Sequence, residues 1–253
     1  ETELLTFTSG ERYNVVPEYA ECTLSIDLSS EFEKHLSFNG LKGEYKNGTY
    51  KVYGKSAHAM QPNLGINAAF ILAEFLNKHI KNDFIAYICE NLTFDHLGEK
   101  LNIDHYDPEM KEFTINAGVY EYSKDGFKIG CNCRYPLGWD KESADINIHA
   151  SVRKYHFKHK VTQDVPIHYV EKNDPLIQLL HAAYIKYTDD TESELITIGG
   201  GTYARALTKA VAFGPTMPHR KDVAHQVDEH MFIDDILTAT AIYMESLFQL
   251  TKD

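Results

Sequence analysis

Three stretches of this 253-residue sequence combine chemically capable residue types with a spacing that would present them. In Gly54-Lys55-Ser56-Ala57-His58-Ala59-Met60-Gln61-Pro62-Asn63-Leu64-Gly65, a strand-like run ends in small residues and offers one histidine ahead of a helix. Small neighbours leave that imidazole accessible. In Gly199-Gly200-Gly201-Thr202-Tyr203-Ala204-Arg205, a glycine triplet stands between a strand-like run and a helix start, where backbone N–H groups can hold an anion. The third is Phe213-Gly214-Pro215, which leads into Asp222-Val223-Ala224-His225-Gln226-Val227-Asp228-Glu229, with His219 and His230 as neighbouring histidines. Two shorter pieces, Asn14-Val15-Val16-Pro17 and Arg134-Tyr135-Pro136, complete the set. Taken singly, each has a structural reading: a surface histidine, a tight turn, a solvated arginine, a turn asparagine. Their fixed order along one chain is what points to a common site.

The elements that must position these residues fall into two segments. In the first, to about residue 172, β-rich runs (Leu4 to Phe7, Tyr19 to Leu28, Thr49 to Tyr53, Phe127 to Tyr135, Ile146 to Tyr155 and Val165 to Val170) surround helical stretches. Lys46-Asn47-Gly48 is a hairpin-type turn, after which Tyr50 and Val52 share one face and Lys51 and Tyr53 the other. Ala68, Ile71, Leu72, Phe75 and Leu76 recur at helical spacing, so a helix follows the His58 stretch. Residues 89–116 are polar and weakly periodic, a mixed helix and loop insertion.

The second segment opens where Asp174-Pro175 supplies an N-cap and a first-turn proline ahead of Leu176, Leu179, Leu180, Ala183 and Tyr184. Leu195-Ile196-Thr197-Ile198 and Val211-Ala212-Phe213 read as short strands. The chain closes in a helix over roughly Phe232 to Leu250, with Ile233, Ile236, Leu237, Met244, Leu247 and Phe248 as its buried stripe.

Composition narrows the classes of function. Apolar residues make up 43% of the chain, enough for a sizeable core, and 25 lysines and arginines against 37 acids give a net charge of −12. That balance argues against a nucleic-acid backbone or an anionic membrane as partner. No apolar run reaches the ~18 residues that a membrane helix needs. Four cysteines, Cys22, Cys89, Cys131 and Cys133, show no metal-knuckle spacing, and a chain of this size needs no disulfides for its core, so a reduced cytoplasmic setting is expected.

The five ordered motifs resemble the M20 family of zinc peptidases, most closely its monomeric dipeptidases of the PepV and bacterial carnosinase type, over nearly the whole chain. The resemblance implies an α/β protein: an α+β lid domain over residues 1–172, then the C-terminal part of an α/β zinc-peptidase catalytic domain over 173–253. It implies two zinc ions per full-length enzyme, with manganese or cobalt as alternatives, and a bridging water that a glutamate base deprotonates for attack on the peptide carbonyl. By motif, His58 and Asn14 would be the catalytic hydrogen-bond donors to the oxyanion. Arg134 would grip the free carboxylate of a short peptide substrate, helped by backbone N–H groups near Gly200, Gly201 and Thr202. His225 would be a metal ligand, favoured over His219 and His230 by the small Ala224 and the Ala-His-Gln pattern. His105-Tyr106-Asp107 has the spacing of the family's first metal motif, but it precedes Pro108 in the polar insertion and reads as loop.

The family's remaining metal ligands and its Glu-Glu base and ligand pair belong upstream of the lid, and this sequence contains no Glu-Glu. The expectation is a truncated chain that does not hold zinc or hydrolyse peptides alone. Its partner would be the missing N-terminal catalytic segment, and exposed apolar edges would favour self-association. The alternative is a non-catalytic peptide-binding or interaction module derived from the same fold.

Overall fold

The computed structural model describes residues 3–221, 223 and 228–252. The chain divides into two compact units, Glu1–Val165 and Pro166–Asp253.

The first unit is built on a six-stranded antiparallel sheet. Its strands are β1 (Leu4–Ser9), β2 (Tyr19–Leu24), β3 (Lys42–Lys46), β4 (Thr49–Tyr53), β7 (Thr114–Ser123) and β8 (Gly126–Arg134), in the order β3-β4-β2-β1-β7-β8. The β3–β4 hairpin turns on Asn47 and Gly48, both at positive φ, the two-residue geometry that matches strand twist. Tyr50 and Val52 are buried on the core face, as the alternation predicts. Helix α1 (Ser29–Asn39) and the nearly fully buried α2 (Ala68–Asn77) pack on β2, β3 and β4, and α3 (Asp83–Asn91) packs on α2. Edge-on aromatic contacts fill the space between: Phe32 with Phe75 at 5.1 Å and Phe7 with Phe84 at 5.5 Å. A two-residue pair, β5 (Tyr106–Asp107) and β6 (Lys111–Glu112), interrupts the insertion before β7.

Two readings of this unit need correction. Ile146 to Tyr155 is not a strand but part of helix α4 (Lys141–Arg153). The Asp140 carboxylate accepts from the N–H groups of Glu142 and Ser143, both at 3.1 Å, and this cap outweighs the β-branched character of the run. Val165 to Val170 forms no strand. Conversely, β7 lies centrally in the sheet although its start falls in the stretch read as insertion. Its residues 115–120 are all buried, so the alternation that marks a half-exposed strand is missing.

The second unit contains helix α5 (Pro175–Thr188), a 3-10 turn at Tyr203–Ala206 and helix α6 (Ile233–Thr251). Asp174 caps α5 by accepting from Leu176 N at 2.8 Å, as expected. The strands expected at Leu195–Ile198 and Val211–Phe213 are absent among the described residues. The stripe expected to be buried on α6 faces outward: Ile233, Ile236, Leu237, Met244, Leu247 and Phe248 are all exposed. The buried face is Asp235, Ala239, Ile242 and Ser246. The fold class over the whole chain is α/β.

Candidate active site

The His58 stretch is a loop closed at its neck. Lys55 and Ile66 exchange backbone hydrogen bonds at 2.9 and 2.8 Å, so residues 56–65 leave and re-enter the fold at one point. Gly54 makes this closure feasible, because a Cβ there would lie 2.0 Å from the Ile66 carbonyl oxygen. Beyond the neck, Asn67 caps α2 by accepting from Ala69 N, and its amide donates to Ala117 O on β7 at 2.9 Å. The loop is thus tied to a buried helix and to the centre of the sheet.

Asn14 and His58 are brought side by side. Val15 and His58 form an antiparallel bridge, flanked by Val16 N donating to Ala57 O (2.8 Å) and Ala59 N donating to Asn14 O (3.0 Å). The segment carrying Asn14 is in turn clasped by a residue that the sequence did not single out. Buried Asn116 on β7 donates through Nδ2 to Tyr13 O at 2.8 Å and Val15 O at 3.0 Å, straddling Asn14. Gly118 lets the segment approach: a Cβ there would come within 2.6 Å of the Arg12 and Tyr13 carbonyl oxygens. The ladder shifts register between Ala117 and Val119, a bulge at the point of contact. Asn116-Ala117-Gly118 inside a strand is the one sequence signal that could have flagged this clasp.

His58 is prepared as a donor. Its Nδ1 accepts from Met60 N–H at 3.1 Å, so in the neutral ring the proton sits on Nε2. Lost solvation, and then the charge of the nearby Arg134, hold His58 below the ordinary histidine value. The ring is therefore neutral near pH 7 and offers one N–H outward. Arg134 ends β8, paired with Thr114 of β7, and lies close enough to act on His58 electrostatically. Three of the expected site residues, Asn14, His58 and Arg134, thus gather at one end of the first unit.

The others belong to the second unit. Gly200, Gly201 and Thr202 lead into the short 3-10 turn, and Thr202 makes no side-chain cap there. His225 lies outside the described residues. Its rival His230 is exposed, with Nδ1 donating to Asp228 O at 2.7 Å. His105 and Asp107 have structural partners: His105 Nε2 bonds Leu137 O at 3.0 Å, and Asp107 accepts from Glu109 N and Met110 N. Among the described residues, the one group of three with metal-ligand composition is Asp145, His149 and His159, none of which belongs to the expected set. The described residues therefore do not assemble the metal pair that the resemblance implies. No helix among them is long and apolar enough to cross a membrane.

Sequence comparison assigns the family. The profile of peptidase family M20/M25/M40 matches residues 37–249, and the chain belongs to that family. It is similar to the "Putative dipeptidase" of Staphylococcus aureus (strain USA300), with 37% identity over 98% of this chain and 56% of the relative. The "Putative dipeptidase" of Staphylococcus saprophyticus is likewise 37% identical, over 99% of this chain and 56% of the relative. The chain spans about half the length of these curated relatives.

Proposed function

We propose that this chain supplies the lid and the carboxylate grip of a zinc-dependent dipeptidase acting on dipeptides with a free C-terminus. The observation that carries the reading is His58: a neutral ring with its tautomer set by Met60 N–H, bridged to the Asn14 segment and beside Arg134. A donor of this kind serves a developing oxyanion, and one such donor contributes roughly 2.7–4 kcal/mol to transition-state stabilisation. The Arg134 fork suits a terminal carboxylate, with Gly200, Gly201 and Thr202 as further donors. Residues 1–172 act as lid and 173–253 as part of the catalytic domain.

In this reading the metal ligands other than His225, and the glutamate base, come from a further segment, and the chain alone is inactive. The exposed apolar stripe of α6 supports such a partner segment. The setting is cytoplasmic. The decisive experiment compares this chain with a form extended to the relatives' full length, measuring metal content and dipeptide hydrolysis. The extended form should hold a zinc pair that His225→Ala disrupts and should cleave dipeptides, and the shorter one should neither hold that pair nor cleave. A well-folded extended form that binds no metal would overturn the reading in favour of a non-catalytic peptide-binding module. Arg134→Ala should raise KM for free dipeptides and spare C-terminally amidated ones; equal losses on both would remove Arg134 from the grip.

A further inference from the structure

One side-chain cluster in the first unit has the composition of a metal site and no part in the reading above. Asp145 and His149 lie one turn apart on α4 and share a face of that helix. After α4 ends, His156 adopts a left-handed conformation (φ 57°) and Phe157 N donates back to Val152 O at 2.9 Å, so the chain reverses. The reversal returns His159 to the same face. Its ring meets that of His149 edge-on at 5.2 Å, and its Nδ1 stands 3.5 Å from Asp145 Oδ1. One ligand atom from each of the three residues lies within 4.8 Å of the others.

The separations suit coordination better than hydrogen bonding. A good imidazole–carboxylate hydrogen bond spans about 2.7–3.2 Å. By contrast, ligands of a tetrahedral ion at ~2.0–2.2 Å bonds stand about 3.3–3.6 Å apart. The Asp145–His159 distance falls in the second range. The ring of His149 is also set for ligation. Its Nδ1 lies 2.8 Å from the Asp145 carbonyl oxygen, which can only accept, and 3.3 Å from Asp145 Oδ2, so in the neutral ring Nδ1 carries the proton and Nε2 is left to ligate. Proteins commonly fix the tautomer of a ligating histidine with a carbonyl in this way.

We propose that Asp145, His149 and His159 form a three-ligand site for a borderline divalent cation, zinc best of all, with the remaining position open to water. Two imidazoles and one carboxylate match zinc in ligand type and leave a fourth corner uncovered. Bound metal would tie the segment after α4 to the helix itself.

The test is titration of the full chain with zinc, and with cobalt(II) as a coloured stand-in for zinc. One cation should bind, cobalt should give the intense visible band of tetrahedral coordination, and zinc should raise the melting temperature. His225→Ala should leave these signals in place. His149→Gln and His159→Gln should each weaken binding at least tenfold, and together remove the cobalt band. Asp145 and His149 are exposed and His159 is partly so, and circular dichroism without metal checks the fold. Should the double variant melt early, Asp145→Asn, which keeps both rings and the carboxylate's shape, decides by the same tenfold loss. Wild-type affinity in the well-folded double variant or in Asp145→Asn, loss of binding in His225→Ala, or an octahedral cobalt spectrum in the wild type would each overturn the proposal.

Discussion

The two units of this chain each carry a helix with an apolar face and treat it in opposite ways. In the first, α2 is buried on nearly every side, between an antiparallel sheet and α3, in a core that includes Phe7, Phe32, Phe75 and Phe84. In the second, the core among the described residues is a small cluster of Ala183, Met217, Ala239 and Ile242, with Tyr184 and Phe213 against it. An ionic clasp adds to that small core: Arg220 binds both oxygens of buried Asp235 at 2.7 and 3.1 Å and lies 3.8 Å over the Phe232 ring. Helical periodicity shows that a face wants cover, and it is silent on what provides it. The first unit is complete as an object, whereas the second presents an apolar face outward.

The sharpest way to break this contrast is to test whether the finished geometry of the first unit has a chemical purpose. In a form extended to the relatives' length, His58→Ala should lower kcat by about 10²–10³-fold with zinc content unchanged; a parallel loss of zinc would mean that the ring is structural. Stability comes next. Phe75→Ala removes a ring with no exposure and should cost about 3–5 kcal/mol in urea unfolding, whereas Phe248→Ala, 60% exposed, should stay within about 0.5 kcal/mol. Similar costs would show that α6 is covered in solution, for instance by a second copy.

Asn116→Asp turns a donor that faces two carbonyls into an acceptor and should cost about 1–3 kcal/mol, with loosening of residues 12–16 in amide exchange. The second unit should instead be sensitive to acid. Arg220 holds the Asp235 carboxyl below its ordinary value, so the stabilisation is complete above the unfolded-state value and is lost as pH falls through the lowered one. Amide shifts of α6 should follow that titration, and Asp235→Asn should abolish the dependence. The smallest effect is electrostatic. Arg134→Gln should move the His58 titration upward, toward the ordinary histidine value, as read by NMR.

What was legible in the sequence follows local rules. Asn47-Gly48 forced a hairpin, Asp174-Pro175 opened a helix, and the small residues around His58 exposed it, all through interactions only a few residues apart. Ile146 to Tyr155 misled because side-chain branching spoke louder than the single cap at Asp140. The strand β7 and the Asn116 clasp were invisible for another reason. Asn116 and Tyr13 are 103 positions apart, and no local pattern encodes that meeting. Arg134 joined His58 in the same non-local way: its strand was legible as the β-rich run Phe127 to Tyr135, but the place of that strand near the His58 loop was not. The outward stripe of α6 was correctly seen as apolar, but its burial was assumed from periodicity.

The neck at Lys55 and Ile66 has a consequence for engineering. Those two residues hold each other by paired backbone bonds, and residues 14–16 hold the loop a second time at Ala57, His58 and Ala59, so it is anchored at two seams. Residues 56–65 should therefore be exchangeable only together with residues 14–16: a foreign loop whose ends meet at the same span would close the first seam and leave the second unpaired. Recipient folds would need a strand end, a glycine at the seam, a capped helix and an extended segment alongside to accept the histidine in return.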